Sequence, residues 1–157
     1  PGIIIGPSSW NRSSTAIFKQ IYRGLRFYPT GSNGFVDVRD VSRSIIDLVE
    51  SPINAERYIL VGENISYKNV FENIANELKV KPPNKKATKF LLELAWRIEK
   101  LRCIIARKSP SITRETARTS YQHNNYSNEK IKASINFEFN KIESAIKNTS
   151  EFLLKFN

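Results

Sequence analysis

The hydrophobic positions of this chain fall first into short runs and later into helical spacings, with the change near Pro82-Pro83. Pro1-Gly2-Ile3-Ile4-Ile5-Gly6-Pro7 sets three consecutive Ile between Gly/Pro pairs, the pattern of a short strand covered on both faces, as in a parallel sheet. A polar loop from Ser8 to Ser14 leads to an amphipathic helix over Thr15 to Arg23, with Ile17, Phe18, Ile21 and Tyr22 on one side and Gly24 at its end. Phe27-Tyr28-Pro29 reads as an extended piece and Gly31-Ser32-Asn33-Gly34 as a tight turn. Phe35-Val36-Asp37-Val38 alternates as a strand does. Asp40, with Arg39 as its ion-pair neighbour, is expected to cap a helix that carries Val41, Ile45, Leu48 and Val49 and stops before Pro52. Tyr58-Ile59-Leu60-Val61-Gly62 predicts a further strand. Ser66 predicts the cap of a helix from Tyr67 to Lys79, burying Val70, Phe71, Ile74, Ala75 and Leu78.

Beyond the two prolines the spacing is helical. Leu91, Leu94, Ile98, Leu101 and Ile105 recur at steps of three and four within Lys86 to Arg107, which predicts one buried seam, with Trp96 and Ile104 off it. Further helices are expected from Thr113, from Ser127-Asn128-Glu129-Lys130, and from Asn140 to Phe156. The order implies a residual α/β part over 1–80 and a helical part over 81–157.

At 157 residues and 40% hydrophobic, the chain has the size and apolar content of one domain. A single Cys, Cys103, excludes an internal disulfide and a Cys-based zinc site, and fits a reducing, cytoplasmic compartment. The single His, His123, lies in a polar loop and makes a His-dependent site or a metal site improbable. No apolar run approaches the ~20 residues that cross a bilayer. The net charge of +10 is concentrated between Lys79 and Arg118, where twelve Lys or Arg face three Asp or Glu. Without interleaved aromatics or a recognition motif, that block reads as a solvated helix face, so neither nucleic acid nor a membrane is an expected partner. The strand at residue one and the lack of any Met suggest the C-terminal part of a larger protein.

Four ordered pieces point to a family. Pro1-Gly2-Ile3-Ile4-Ile5-Gly6-Pro7, then Gly34-Phe35-Val36-Asp37-Val38-Arg39-Asp40-Val41, then Tyr58-Ile59-Leu60-Val61-Gly62, then Tyr126-Ser127-Asn128-Glu129-Lys130 leading to Ile135-Asn136-Phe137-Glu138-Phe139, resemble the C-terminal half of the extended short-chain dehydrogenase/reductases. These are NAD(P)-dependent epimerases, dehydratases and dihydroflavonol-reductase-like enzymes. Asn136 departs from the family's usual Gly, and the stretch Lys86 to Arg107 is longer and more basic than in many sugar-nucleotide epimerases. The resemblance implies the end of a Rossmann-type parallel sheet plus a mostly helical substrate-binding cap, without the N-terminal half that binds most of the NAD or NADP.

By the same resemblance the catalytic Tyr and Lys lie upstream of Pro1, so this chain carries no catalytic residue and is expected to be inactive alone. Tyr126 and Lys130 have the Tyr-x-x-x-Lys spacing but sit at the family's non-catalytic tail position, in a helix-capping context. The implied cofactor wall is Pro1, Gly2, Ile3 and Ile4, with Ser14 toward the phosphates; the implied substrate pocket is Trp10, Asn11, Ser13, Asn33 and Phe35. Implied partners are a small-molecule substrate and the protein's own N-terminal half, and the resemblance leaves room for a homodimer. The implied activity is carbonyl or alcohol reduction of the dihydroflavonol-reductase kind. The alternatives are a sugar-nucleotide epimerase/dehydratase, or a basic, non-enzymatic peripheral interaction module.

Overall fold

A computed structural model describes residues 1–12, 14–88, 90–91, 93–94, 96–98 and 114–156. Strand β1 (Ile3–Ile5) is followed by helix α1 (Thr15–Tyr22), strands β2 (Phe27–Pro29) and β3 (Ser32–Asp37), and helix α2 (Val38–Glu50). Then come β4 (Glu63–Ser66), α3 (Tyr67–Glu77), β5 (Lys85–Ala87), α4 (Arg114–Thr119), α5 (Glu129–Ile135) and α6 (Ile142–Lys155). The main sheet has the order β1-β3-β4; β1 runs parallel to β3, with Ile3 opposite Phe35, and β4 runs antiparallel to it. A second, parallel pair joins β2 to β5. The fold is therefore α/β as expected, but its main sheet is mixed rather than parallel.

Most of the apolar spacing acts as read. Phe18 and Ile21 of α1 are buried, and Gly24, at φ 86°, takes the left-handed position that ends the helix. The Ser66 hydroxyl accepts from the Asn69 N–H at 3.2 Å, and α3 buries Val70, Phe71, Ile74 and Ala75. These side chains share one core with Ile5, Phe35 and the inner face of α6, which supplies Ile142, Ala145, Ile146 and Leu153. Asn136 takes φ 49° and ψ 45° at the end of α5, a conformation that Gly adopts freely and Asn tolerates.

Five expectations are corrected. The tight turn over Gly31–Gly34 gives way to strand, since Ser32, Asn33 and Gly34 pair with Ser66, Ile65 and Asn64. The cap of α2 is Asp37, whose carboxylate accepts from the Arg39 N–H at 2.8 Å and pairs with the Arg39 guanidinium at 2.5 Å. Asp40 lies in the first turn instead, fully buried, and Arg39 pairs with Asp37 and not with it. The strand expected at Tyr58–Gly62 is extended chain with single bonds to its neighbours, Gly2 N to Leu60 O and Gly62 N to Phe35 O, each 2.8 Å. The laddered strand is the next segment, β4. Finally, Lys85–Ala87 is a strand and not the start of a helix, and Phe90 and Leu91 are helical.

Two apolar faces also turn out differently. In α2, Val41 and Leu48 pack toward Leu60 and Ile131, whereas Ile45, Ile46 and Val49 are 54, 56 and 79% exposed. The fully buried positions of this helix are instead Asp40 and Ser44. The seam after Thr88 is likewise open, with Leu91, Leu94 and Ile98 exposed, while Trp96 is half-buried and donates to Glu93 Oε2 at 3.0 Å. Leu101, Ile104, Ile105, Cys103 and the helix start at Thr113 lie outside the described residues. No described helix is long and apolar enough to cross a membrane.

Asp40 ties the two ends of the chain together. Its carboxylate accepts from the Asn140 N–H at 2.8 Å, from Asn140 Nδ2 at 2.6 Å and from Arg43 Nη2 at 3.1 Å. Glu63 Oε1 accepts from the Ile142 N–H at 3.0 Å, so a carboxylate meets the positive first turn of α6. Replacing Asp40 with Ala strips three donors of a charged acceptor. We expect Asp40→Ala to lower unfolding free energy by about 3 kcal/mol in urea titration, against under ~0.5 kcal/mol for Ser42→Ala on the exposed face. Equal effects would show that the buried carboxylate contributes nothing special.

Candidate functional site

Three chain segments meet at one end of the main sheet because two residues there have no side chain. A Cβ on Gly2 would stand 2.4 Å from Gly34 O, and one on Gly34 would stand 2.7 and 2.8 Å from the Val61 methyls and 2.9 Å from the Tyr126 ring. Glycine permits this approach of backbones. Beside the junction is a cavity of about 410 Å³, of the size that takes a small ligand. Pro1, Gly2 and Ile3 form one wall, Tyr58, Ile59 and Val61 another, and Asn33 and Tyr126 complete it.

The polar groups of this cavity are held from behind. Asn33 donates through Nδ2 to Tyr67 Oη at 3.1 Å and accepts the Gly34 N–H on Oδ1 at 2.9 Å, which fixes its amide orientation. Asn64 clamps the Tyr126 backbone, accepting its N–H at 3.0 Å and donating to its carbonyl at 2.9 Å. Asn128 Nδ2 donates to Val61 O at 2.6 Å. Among the described residues no charged side chain lines the cavity. Its chemistry is that of a largely apolar slot with two phenols and one amide, suited to a flat neutral ring carrying a carbonyl or carboxamide.

The predicted site residues separate into groups. Pro1, Gly2, Ile3 and Asn33 share the cavity just described. Ile4 is half-buried in β1 and does not line it. Phe35 is fully buried, edge-on to Tyr67 with centroids 6.0 Å apart, so it supports the wall from within the core. Ser14 occupies the N-cap position of α1 without a capping bond. Ser13 lies outside the described residues. Trp10 and Asn11 line a second cleft, of about 370 Å³, together with Lys19, Tyr22, Arg23, Leu153 and Leu154. Among the described residues no cluster of three His, Cys, Asp or Glu could hold a metal.

Sequence reasoning passed over Tyr58, Ile59, Val61 and Tyr126 as lining residues. The first three read as plain strand, with nothing in the pattern to mark them as cavity lining. Tyr126 and Lys130 do not share a helix face, because Tyr126 precedes α5. Lys130 Nζ instead donates to Glu56 Oε2 at 2.6 Å and holds the Glu56 carboxyl below its ordinary pKa.

No protein-family model and no curated protein matches the chain. Solved structures do. Over 99% of this chain, the crystal structure of gox2253 superposes with a TM-score of 0.74 at 23% identity, using 48% of that protein. A nucleoside-diphosphate-sugar epimerase from Pseudomonas aeruginosa gives 0.72 at 15% identity, over 99% of this chain and 46% of that one. A dTDP-glucose 4,6-dehydratase from Bacillus anthracis, solved in complex with NAD, gives 0.63 at 14% identity, over 99% and 43%. The chain thus has the fold of slightly less than half of each of these proteins.

The close approach yields a test. Gly2→Ala would push a methyl into backbone, whereas Gly34→Ala meets only side chains that can move. Thermal or urea unfolding is expected to show a loss of about 1–3 kcal/mol for Gly34→Ala, partly recovered by adding Val61→Ala, and a larger loss for Gly2→Ala that Val61→Ala does not recover. Equal losses, or no recovery in the Gly34 pair, would contradict the geometry.

Proposed function

We propose that this chain is the C-terminal, substrate-binding portion of an NAD(P)-dependent oxidoreductase of the extended short-chain dehydrogenase/reductase family. The observation that carries the reading is the likeness over 99% of the chain to under half of proteins that include an NAD-bound dehydratase and a nucleotide-sugar epimerase. The cavity supports it: Pro1, Gly2 and Ile3 offer an apolar wall for a nicotinamide ring, and Asn33 faces the same space for the substrate. Ile4, Ser14, Phe35, Trp10, Asn11 and Ser13 remain expectations of the resemblance. Most of the NAD or NADP, and the catalytic Tyr and Lys, belong on this reading to the protein's own N-terminal half.

Two features support a covering partner of that kind. Tyr58–Val61 is extended yet has no laddered neighbour among the described residues, and Ile45, Ile46 and Val49 offer an apolar helix flank to solvent. Reduction of a carbonyl or alcohol, as in dihydroflavonol reductases, suits a cavity lined without charge. The sugar-nucleotide epimerase reading is favoured instead by the named activities of the similar structures, and by a UDP-glucuronic acid 4-epimerase from Bacillus cereus solved with its sugar nucleotide and NAD.

Calorimetric titration of the intact parent is expected to show saturable binding of NAD(H) or NADP(H); binding of neither contradicts the family assignment. The 157-residue chain alone is expected to oxidise or reduce no substrate above background. In the parent, Val49→Asp is expected to cost about 2 kcal/mol or more, because burial beneath the N-terminal half would strand a carboxylate. A change within ~0.5 kcal/mol would mean that this flank faces water there too.

A further inference from the structure

Trp10 and Asn11, which the resemblance assigns to the substrate pocket, line the second cleft and not the cavity at Pro1–Ile3, and this cleft has a chemistry of its own. Trp10 and Tyr22 stand with ring centroids 5.3 Å apart, tilted by 42°, and Leu153 and Leu154 of α6 close the apolar side. Lys19 from the last turn of α1 and Arg23 from its C-cap line the same cleft, four residues apart. Like charges at that spacing repel. Among the described residues neither has an ion-pair partner, and no Asp or Glu lines the cleft. Lys19 Nζ donates to Asn11 Oδ1 at 2.5 Å, a neutral acceptor that orients the ammonium without cancelling its charge. Aromatic faces, aliphatic side chains and two uncompensated cations therefore share a space of about 370 Å³.

We propose that this cleft binds a planar aromatic anion, separately from the cavity at Pro1–Ile3. The ring lies against Trp10 and Tyr22, and a carboxylate or similar group sits at Lys19 and Arg23. Charge and ring are both required: the cations attract any anion, but only a flat apolar body covers the exposed aromatic faces. A ligand of one or two fused rings matches the volume.

Indole N–H resonances in 1H–15N spectra report on the cleft directly, with Trp10 identified by its loss in Trp10→Phe. The intact protein, with NAD and NADP present in excess so that the other cavity is not in play, is titrated with three probes. They are 2-naphthoate, 2-naphthamide, which keeps the ring without the charge, and sodium sulfate, which keeps the charge without the ring. The expected result is a saturable shift of the Trp10 resonance by 2-naphthoate, at least tenfold tighter than by either other probe. Lys19→Gln with Arg23→Gln is expected to weaken naphthoate at least tenfold and to leave naphthamide unchanged. If that variant does not fold, raising NaCl with the unaltered protein must weaken naphthoate and spare naphthamide. No saturable shift, naphthamide bound as tightly as naphthoate, or an affinity indifferent to both cations and salt overturns the proposal. Because the readout is Trp10, these outcomes do not depend on whether the protein binds a nicotinamide cofactor.

Discussion

The contact on which the site depends is the approach of backbone to backbone at Gly2 and Gly34. With a Cβ position at Gly2 only 2.4 Å from the Gly34 carbonyl, β1 and β3 could not keep their register if residue 2 carried a side chain. That register puts Ile3 opposite Phe35 and leaves Pro1, Gly2 and Ile3 as a wall beside Val61. Val61 is itself 1% exposed and accepts from Asn128, so the opposite wall is anchored from the C-terminal part of the chain. The cavity is thus a product of missing atoms on one side and a fixed strand end on the other.

One buried and one half-buried carboxylate complete the frame. Asp40 and Glu63 both reach across the sheet to the 140–142 segment, where they take backbone N–H groups that would otherwise lack a partner. Through them α2 and β4 hold the start of α6, and α6 in turn packs its Ile142, Ile146 and Leu153 on the core beneath β1 and β3. Burying a carboxylate is costly unless donors surround it. Asp40 meets that condition with three donors.

Much of this was legible in the chain. The Ile3–Ile5 run, the α3 spacing behind Ser66, the α1 stop at Gly24 and the final helix all appear where pattern and caps place them. What was misread shares one cause: the sequence shows that a residue suits burial, and it does not show which neighbour is there to bury it. Ile45 and Val49 have the spacing of an inward face, yet the fully buried positions go to Asp40 and Ser44. Tyr58–Val61 has the composition of a central strand but no ladder, while the polar Glu63–Ser66 pairs because β3 offers its edge there. Of the site, Pro1, Gly2, Ile3 and Asn33 were reached only through resemblance. Tyr126 and Tyr58 carried no signal, because their place in the cavity follows from the Asn64 clamp and from an extended segment outside the ladder.

The central claim is that the cavity at the Gly2–Gly34 junction receives the nicotinamide ring. Isotope-edited NOE measurement on the parent with Ile methyl groups labelled, in the presence of bound NAD or NADP, places the ring without any assumption about turnover. The account predicts cross-peaks from the nicotinamide protons to the methyl groups of Ile3 and Ile59, and none to Ile142, which is buried in the core. A bound cofactor whose nicotinamide protons show no contact with Ile3 or Ile59 would contradict it.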